Sequence, residues 1–202
     1  MNATHPALTH TSPLTIPTRE GGGVYRSEDP EVQRLANDLA TWLDEAEPQT
    51  VVRVRLDAPL SASAHARVLG RALRKVASGQ CPGRYIVVED PSRENDYDAD
   101  AALEKESRTT KLKLVCVWRE PDQPARLIGA VDPAVDETYA LARDRWTLGQ
   151  STTARNLAEA IGASIQSASN RMAKAAALGV LCQVDESSPD GGGVQRVFVP
   201  IE

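Results

Sequence analysis

The chain has 202 residues, room for one medium domain or two small ones, and its 41% apolar and 25% charged content is ordinary for a soluble globular protein. A net charge of −5 excludes a protein that coats nucleic acid non-specifically, though not a sequence reader with one local basic face. Cys81, Cys116 and Cys182 are odd in number with no CxxC pair, which argues against a disulfide or zinc framework and for free thiols. No apolar run approaches the roughly 18 residues needed to span a bilayer. The first residues lack the basic and apolar regions of a signal peptide, so the expected setting is cytoplasmic, with no membrane association.

Residues 1–28 are rich in Thr, Pro and Gly and predict a flexible tail or a partner-binding arm. Pro30 to Glu45 predicts a helix, with Asp29 as its cap, Pro30 in the first turn and Glu31 complementing the dipole. Val32, Leu35, Ala36, Leu39, Trp42 and Leu43 form its apolar stripe, suited to docking within the chain or to pairing with a second subunit. Val51 to Leu56 alternates Val52, Val54 and Leu56 against Arg53 and Arg55, the period of a strand. Ser61 to Ser78 returns to helical spacing, with Leu69, Ala72, Leu73 and Val76 inward. Arg67, Arg71, Arg74 and Lys75 lie on its outer side, as a solvated face or a set of phosphate contacts.

Tyr85 to Val88 is a continuous apolar strand suited to the middle of a sheet. Glu89 to Asp100 reads as an acidic solvated loop; it lacks the glycine and closing Glu of a calcium loop. A short helix over Ala99 to Glu106 and strands over Lys111 to Trp118 and Arg126 to Val131 follow. The order of elements predicts a small α/β domain with a partly parallel sheet, and no phosphate-binding glycine loop is present. Asp132-Pro133 marks a domain join, and Val135 to Leu148 is helical.

Ser151 to Leu181 reads as two helices joined by a turn at Ile161-Gly162-Ala163. Leu157, Ala158 and Ile161 share one face of the first, and Ser164 stands where the second needs an N-cap. Ile165, Ala168, Met172 and Ala175 continue the apolar side, while Gln166, Ser167, Asn170, Arg171 and Lys174 stay polar. Residues 180–184 and 194–199 then predict a β-hairpin.

These residues resemble the winged helix-turn-helix families of bacterial DNA-binding regulators, over roughly the last third of the chain. The overall expectation is therefore an α/β fold (α+β overall) in three parts. They are the tail at 1–28, an amphipathic helix plus small mixed-sheet sensor or dimerisation domain at 29–132, and a winged helix-turn-helix domain at 133–202. The resemblance implies that Ser164, Gln166, Ser167 and Asn170 face bases, and that Arg171 and Lys174 approach base edges or phosphates. It also places Thr152, Thr153 and Arg155 against phosphates and makes Arg196 the basic residue of the wing. Two features work against tight binding. The wing tip from Asp185 to Asp190 is acidic, and from Asp136 onward six bases face eight acids.

An enzyme is not expected. His5, His10, His65 and Cys81 make no recognisable metal spacing or nucleophile–base pair, and no GxSxG or HExxH motif occurs. The sequence reading is a homodimeric transcriptional regulator that binds double-stranded DNA, without cofactor or metal, and answers to an unidentified small-molecule or protein effector. The alternative is a protein-interaction adaptor in a nucleic-acid-processing or defence assembly, with the winged helix as its docking surface.

Overall fold

The computed structural model describes residues 8–187 and 194–201. Its main sheet has six strands in the order β1 (Thr9–His10), β3 (Thr50–Leu56), β4 (Arg84–Glu89), β5 (Val115–Arg119), β6 (Arg126–Gly129), with β2 (Leu14–Ile16) also pairing β3. Strands β1 to β5 run parallel and β6 runs antiparallel to β5. Helix α1 (Pro30–Glu45) connects β2 to β3. Helix α2, residues 62–77, connects β3 to β4; it is α-helical at Ala62–His65 and Arg71–Ala77 and π-helical at Ala66–Gly70. Helix α3 (Asp96–Thr110) connects β4 to β5.

All three crossovers step across the sheet in the same direction. Because such connections are right-handed, their helices stack on a single face. The alternation of each strand sends Val52, Val54, Leu56, Ile86, Val88, Leu114, Cys116 and Trp118 into that layer, against Leu39 and Leu43 of α1, Leu69 and Leu73 of α2 and Leu103 of α3. The stripe of α1 is thus buried inside its own chain, which overturns its use as a dimer helix. Asp29 does not cap α1 through its side chain; its carboxylate accepts from the Arg26 amide at 2.8 Å and pairs with Arg19 at 2.9 Å.

The same alternation points Val51, Tyr85, Val87, Val115, Val117 and Leu127 out of the opposite face. That face is covered by the C-terminal elements: α4 (Pro133–Thr147), α5 (Ala154–Ile161), α6 (Ile165–Ala177), β7 (Leu181–Ser187) and β8 (Val194–Pro200). Val135 and Tyr139 of α4, Leu157 of α5, Met172 of α6 and Phe198 of β8 join the sheet residues in one apolar cluster. The Tyr139 hydroxyl donates to the Ile201 carbonyl at 3.1 Å. Gly179, at φ +74, lies so close to α2 that a Cβ there would come within 2.8 Å of Val76 Cγ1. The separation expected at Asp132-Pro133 is therefore crossed by a continuous core.

Further expectations are corrected. Within the expected tail, residues 8–28 form β1, β2 and a bridge between Tyr25 and Leu60. Leu8, Ile16 and Tyr25 are buried, and threonines among them suit extended backbone; residues 1–7 lie outside the described residues. Helix α3 is longer at both ends than residues 99–106, and the strand expected from Lys111 starts only at Val115, since Lys111 ends the helix at φ +59.

The acidic loop is not solvated throughout. Asp90 and Asn95 are fully buried. The Asn95 side-chain amide donates to Asp90 Oδ1 at 2.9 Å and to the Ala58 carbonyl at 3.2 Å, and its Oδ1 accepts from the Leu60 amide at 2.7 Å. Asp100 accepts from the Gly129 amide at 2.7 Å, and Asp96 pairs with Arg126 at 2.9 Å. Asp90, Asp96 and Asp100, with Asn95, tie the start of α3 to the chain after β3 and β4 and to β6.

A chain cut after residue 132 would expose the second apolar face. We expect it to aggregate or to bind a hydrophobic dye strongly, as judged by light scattering and dye fluorescence against the full chain. A monodisperse fragment with its own cooperative unfolding transition would show that the sheet does not need its C-terminal cover.

Candidate nucleic-acid interface

The helix pair forms because both its ends are locally satisfied. Thr153 caps α5 in a reciprocal box with Asn156: its hydroxyl accepts from the Asn156 amide at 3.2 Å, while Asn156 Oδ1 accepts from the Thr153 amide at 3.3 Å. Gly162 closes α5 in the left-handed region at φ +63, where a side chain would be strained. Ser164 then caps α6, its hydroxyl accepting from the Ser167 amide at 3.2 Å. Leu157 and Ala158 on one helix and Ala168, Met172 and Ala175 on the other are buried, which fixes the outward face of α6.

That face carries Ser164, Gln166, Asn170 and Lys174, all exposed. Gln166 Nε2 donates to Asn170 Oδ1 at 3.0 Å, so the two amides stand together one turn apart. Ser167 is half-buried. Ile165, expected on the apolar side, is 53% exposed and joins the outer surface beside Gln166.

The basic residues are placed differently from expectation. Arg171 Nη1 lies 2.7 Å from Glu137 within α4, and Lys174 Nζ lies 2.6 Å from Asp132, the N-cap of that helix. Lys113 reaches the same Asp132 at 3.4 Å. The Lys174 ammonium, the Ala134 amide and Lys113 hold the Asp132 carboxyl at about 2, well below the usual carboxylate range. Both bases of α6 are thereby partly neutralised by their own domain. Glu137 and Asp132 carry no local signal of this role, being 34 and 42 residues from their partners.

Thr152 is overturned as a phosphate contact. It is 1% exposed, and its backbone forms a two-way bridge with Phe198 at 3.1 and 2.8 Å. Thr153 is half-buried and occupied by its capping box. Arg155 and Arg196 are exposed, with no ion pair among the described residues. Asp185 sits in β7 opposite Arg196, and Glu186 accepts from Ser151 Oγ at 3.3 Å; residues 188–190 of the acidic wing tip lie outside the described residues.

Among the described residues the groups weighed for catalysis do not converge; His5 lies outside them. His10 sits at the second face of the sheet, where burial and the charges of Arg53 and Arg119 lower its pKa. His65 is buried on the first face, 6.3 Å from the Trp118 ring centroid. All three cysteines are buried and free, and burial raises the Cys116 and Cys182 thiols, leaving them poor nucleophiles. Among the described residues, no group of three or more His, Cys, Asp or Glu is placed to hold a metal ion, and no helix is long and apolar enough to cross a membrane.

No known protein-family model matches the chain, and no curated protein is similar to it.

His65 makes the fold sensitive to acid. Burial outweighs the opposing influence of Asn95 and Asp90 and brings its pKa from 6.5 to about 4. Above the unfolded value of 6.5 neither state binds the proton, and stability is intact. As pH falls from there towards about 4, only the unfolded chain is protonated, so the native state loses up to about 3 kcal/mol. Urea denaturation between pH 7 and 4 should show this slope in the native chain and a shallower one in His65→Gln. Equal slopes would contradict the assignment.

Proposed function

We propose that this protein is a homodimeric DNA-binding regulator that reads double-stranded DNA with α6, in the manner of the winged helix-turn-helix regulators its C-terminal third resembles. The observation that carries the reading is the exposed Ser164–Gln166–Asn170 face at the start of α6, presented by a helix whose other side is locked in the core. Gln and Asn amides are the groups that pair bidentately with adenine in the major groove. In this reading the antiparallel β7–β8 hairpin serves as the wing, and the exposed Arg155 and Arg196 are available for phosphates. A cytoplasmic location accords with the three free thiols.

Affinity in this reading comes from two copies. One domain with net charge −2 and both bases of its recognition helix held by Glu137 and Asp132 has few phosphate contacts to offer. Those same ion pairs favour a second reading, in which the helix pair is the docking surface of a protein-interaction adaptor.

The test uses duplexes selected from a random pool, with binding followed by anisotropy over a range of salt. The double change Gln166→Ala/Asn170→Ala should remove preference among sequences, at about 1–3 kcal/mol per lost base contact. Asp132→Asn/Glu137→Gln should tighten binding at low salt and steepen the salt slope by up to about 2, because two cations are released towards phosphate. No binding at low salt, or binding that ignores both variants, would leave the adaptor reading in its place.

A further inference from the structure

A second charged feature lies on the opposite side of the sheet from α6. Helices α1, α2 and α3 line an open groove of about 310 Å³ that presents Asn37, Arg67 and Arg71, all exposed, with Arg74 and Glu106. The small side chains of Ala36 and Ala66 leave it room. Arg67, Arg71 and Arg74 follow the four- and three-residue steps that keep side chains on one helix face. Arg67 belongs to the π-helical turn Ala66–Gly70, the kind of irregularity that recurs at functional sites.

The protein holds 28 acids against 23 bases, and among the described residues twelve of those bases pair with a carboxylate. In the groove only Arg74 does so, with Glu106 at 3.5 Å. Gly70 lets α3 approach closely here: a Cβ on it would meet Glu106 Cγ at 3.2 Å. Arg67 reaches the neutral Gln33 carbonyl oxygen at 3.5 Å, and among the described residues neither it nor Arg71 has an acidic partner. The next base along, Lys75, is satisfied outside the groove by Asp44 at 2.5 Å.

We infer that this groove binds a small anion carrying two or more linked phosphoryl groups. Arginine forks match phosphate oxygens bidentately, Asn37 adds a neutral donor, and the volume lies at the small end of ligand pockets, too little for a folded partner. Such a ligand would bridge α1, α2 and α3 on the side of the sheet away from α6. The inference stands apart from the DNA reading, since no residue is shared.

Inorganic pyrophosphate titrated into the full chain by calorimetry at low salt is the test, with ATP in a second arm. Saturable binding is expected, weakened about tenfold or more by Arg67→Ala or Arg71→Ala, each removing a charge-assisted contact. Glu106→Gln, which removes the groove's only carboxylate and keeps its shape, should tighten binding, a gain that damage to the fold would not produce. Lys75→Ala should leave binding within about twofold. Tighter binding of ATP than of pyrophosphate would make the ligand a nucleotide, and equal binding would make it the phosphate chain itself. The inference is overturned if no saturable heat appears, if the arginine variants bind as well as the native chain, or if Glu106→Gln binds more weakly.

Discussion

The structure depends on a constraint of handedness. Three successive right-handed crossovers that step the same way across a parallel sheet place all three connecting helices on one side. The other side, with Val51, Val87, Val115 and Val117 at its centre, is then a bare apolar surface that cannot face water. Everything after Val131 answers that need. The C-terminal helices and hairpin form the second layer of the protein, and the residues proposed to read DNA are carried on its outer side. Anything that loosens Met172, Tyr139 or Phe198 from the sheet also loosens the face of α6.

The two layers differ in how they treat charge. On the α4–α6 side, acids close over the bases of the proposed recognition helix and leave Gln166 and Asn170 as polar groups of its outer face. On the α1–α3 side, one carboxylate, Glu106, meets Arg74 in a groove where Arg67 and Arg71 have no acidic partner among the described residues. Buried carboxylates serve a third purpose: Asp90 is tied through Asn95 to the loop after β3, so the carboxyl ends of the central strands are cross-braced by polar contacts.

The sequence was informative where periodicity is local. The stripe of α1, the alternation of β3, the apolar run of β4 and the capped helix pair at Ser151–Leu181 could all be read because each is decided by residues within one or two turns. What was hidden depends on distant partners. Residues 8–28 look like a tail by composition, yet parallel pairing with β3 makes strands of two short pieces of them. Asp90 looks solvated among acidic neighbours until Asn95 and Ser92 enclose it. Gln166 and Asn170 lie exposed on the polar side of α6, as the helical period implies. The fate of Arg171 and Lys174 was set by acids from another helix, and Thr152 was turned inward by its bridge to Phe198.

The central claim is that the sheet and its C-terminal cover fold as one body, because neither can bury its apolar face alone. Differential scanning calorimetry of the full chain measures this directly. A single transition is predicted, with a ratio of calorimetric to van't Hoff enthalpy of about 1. Two resolved transitions would contradict the account and separate the C-terminal elements from the sheet they are said to complete.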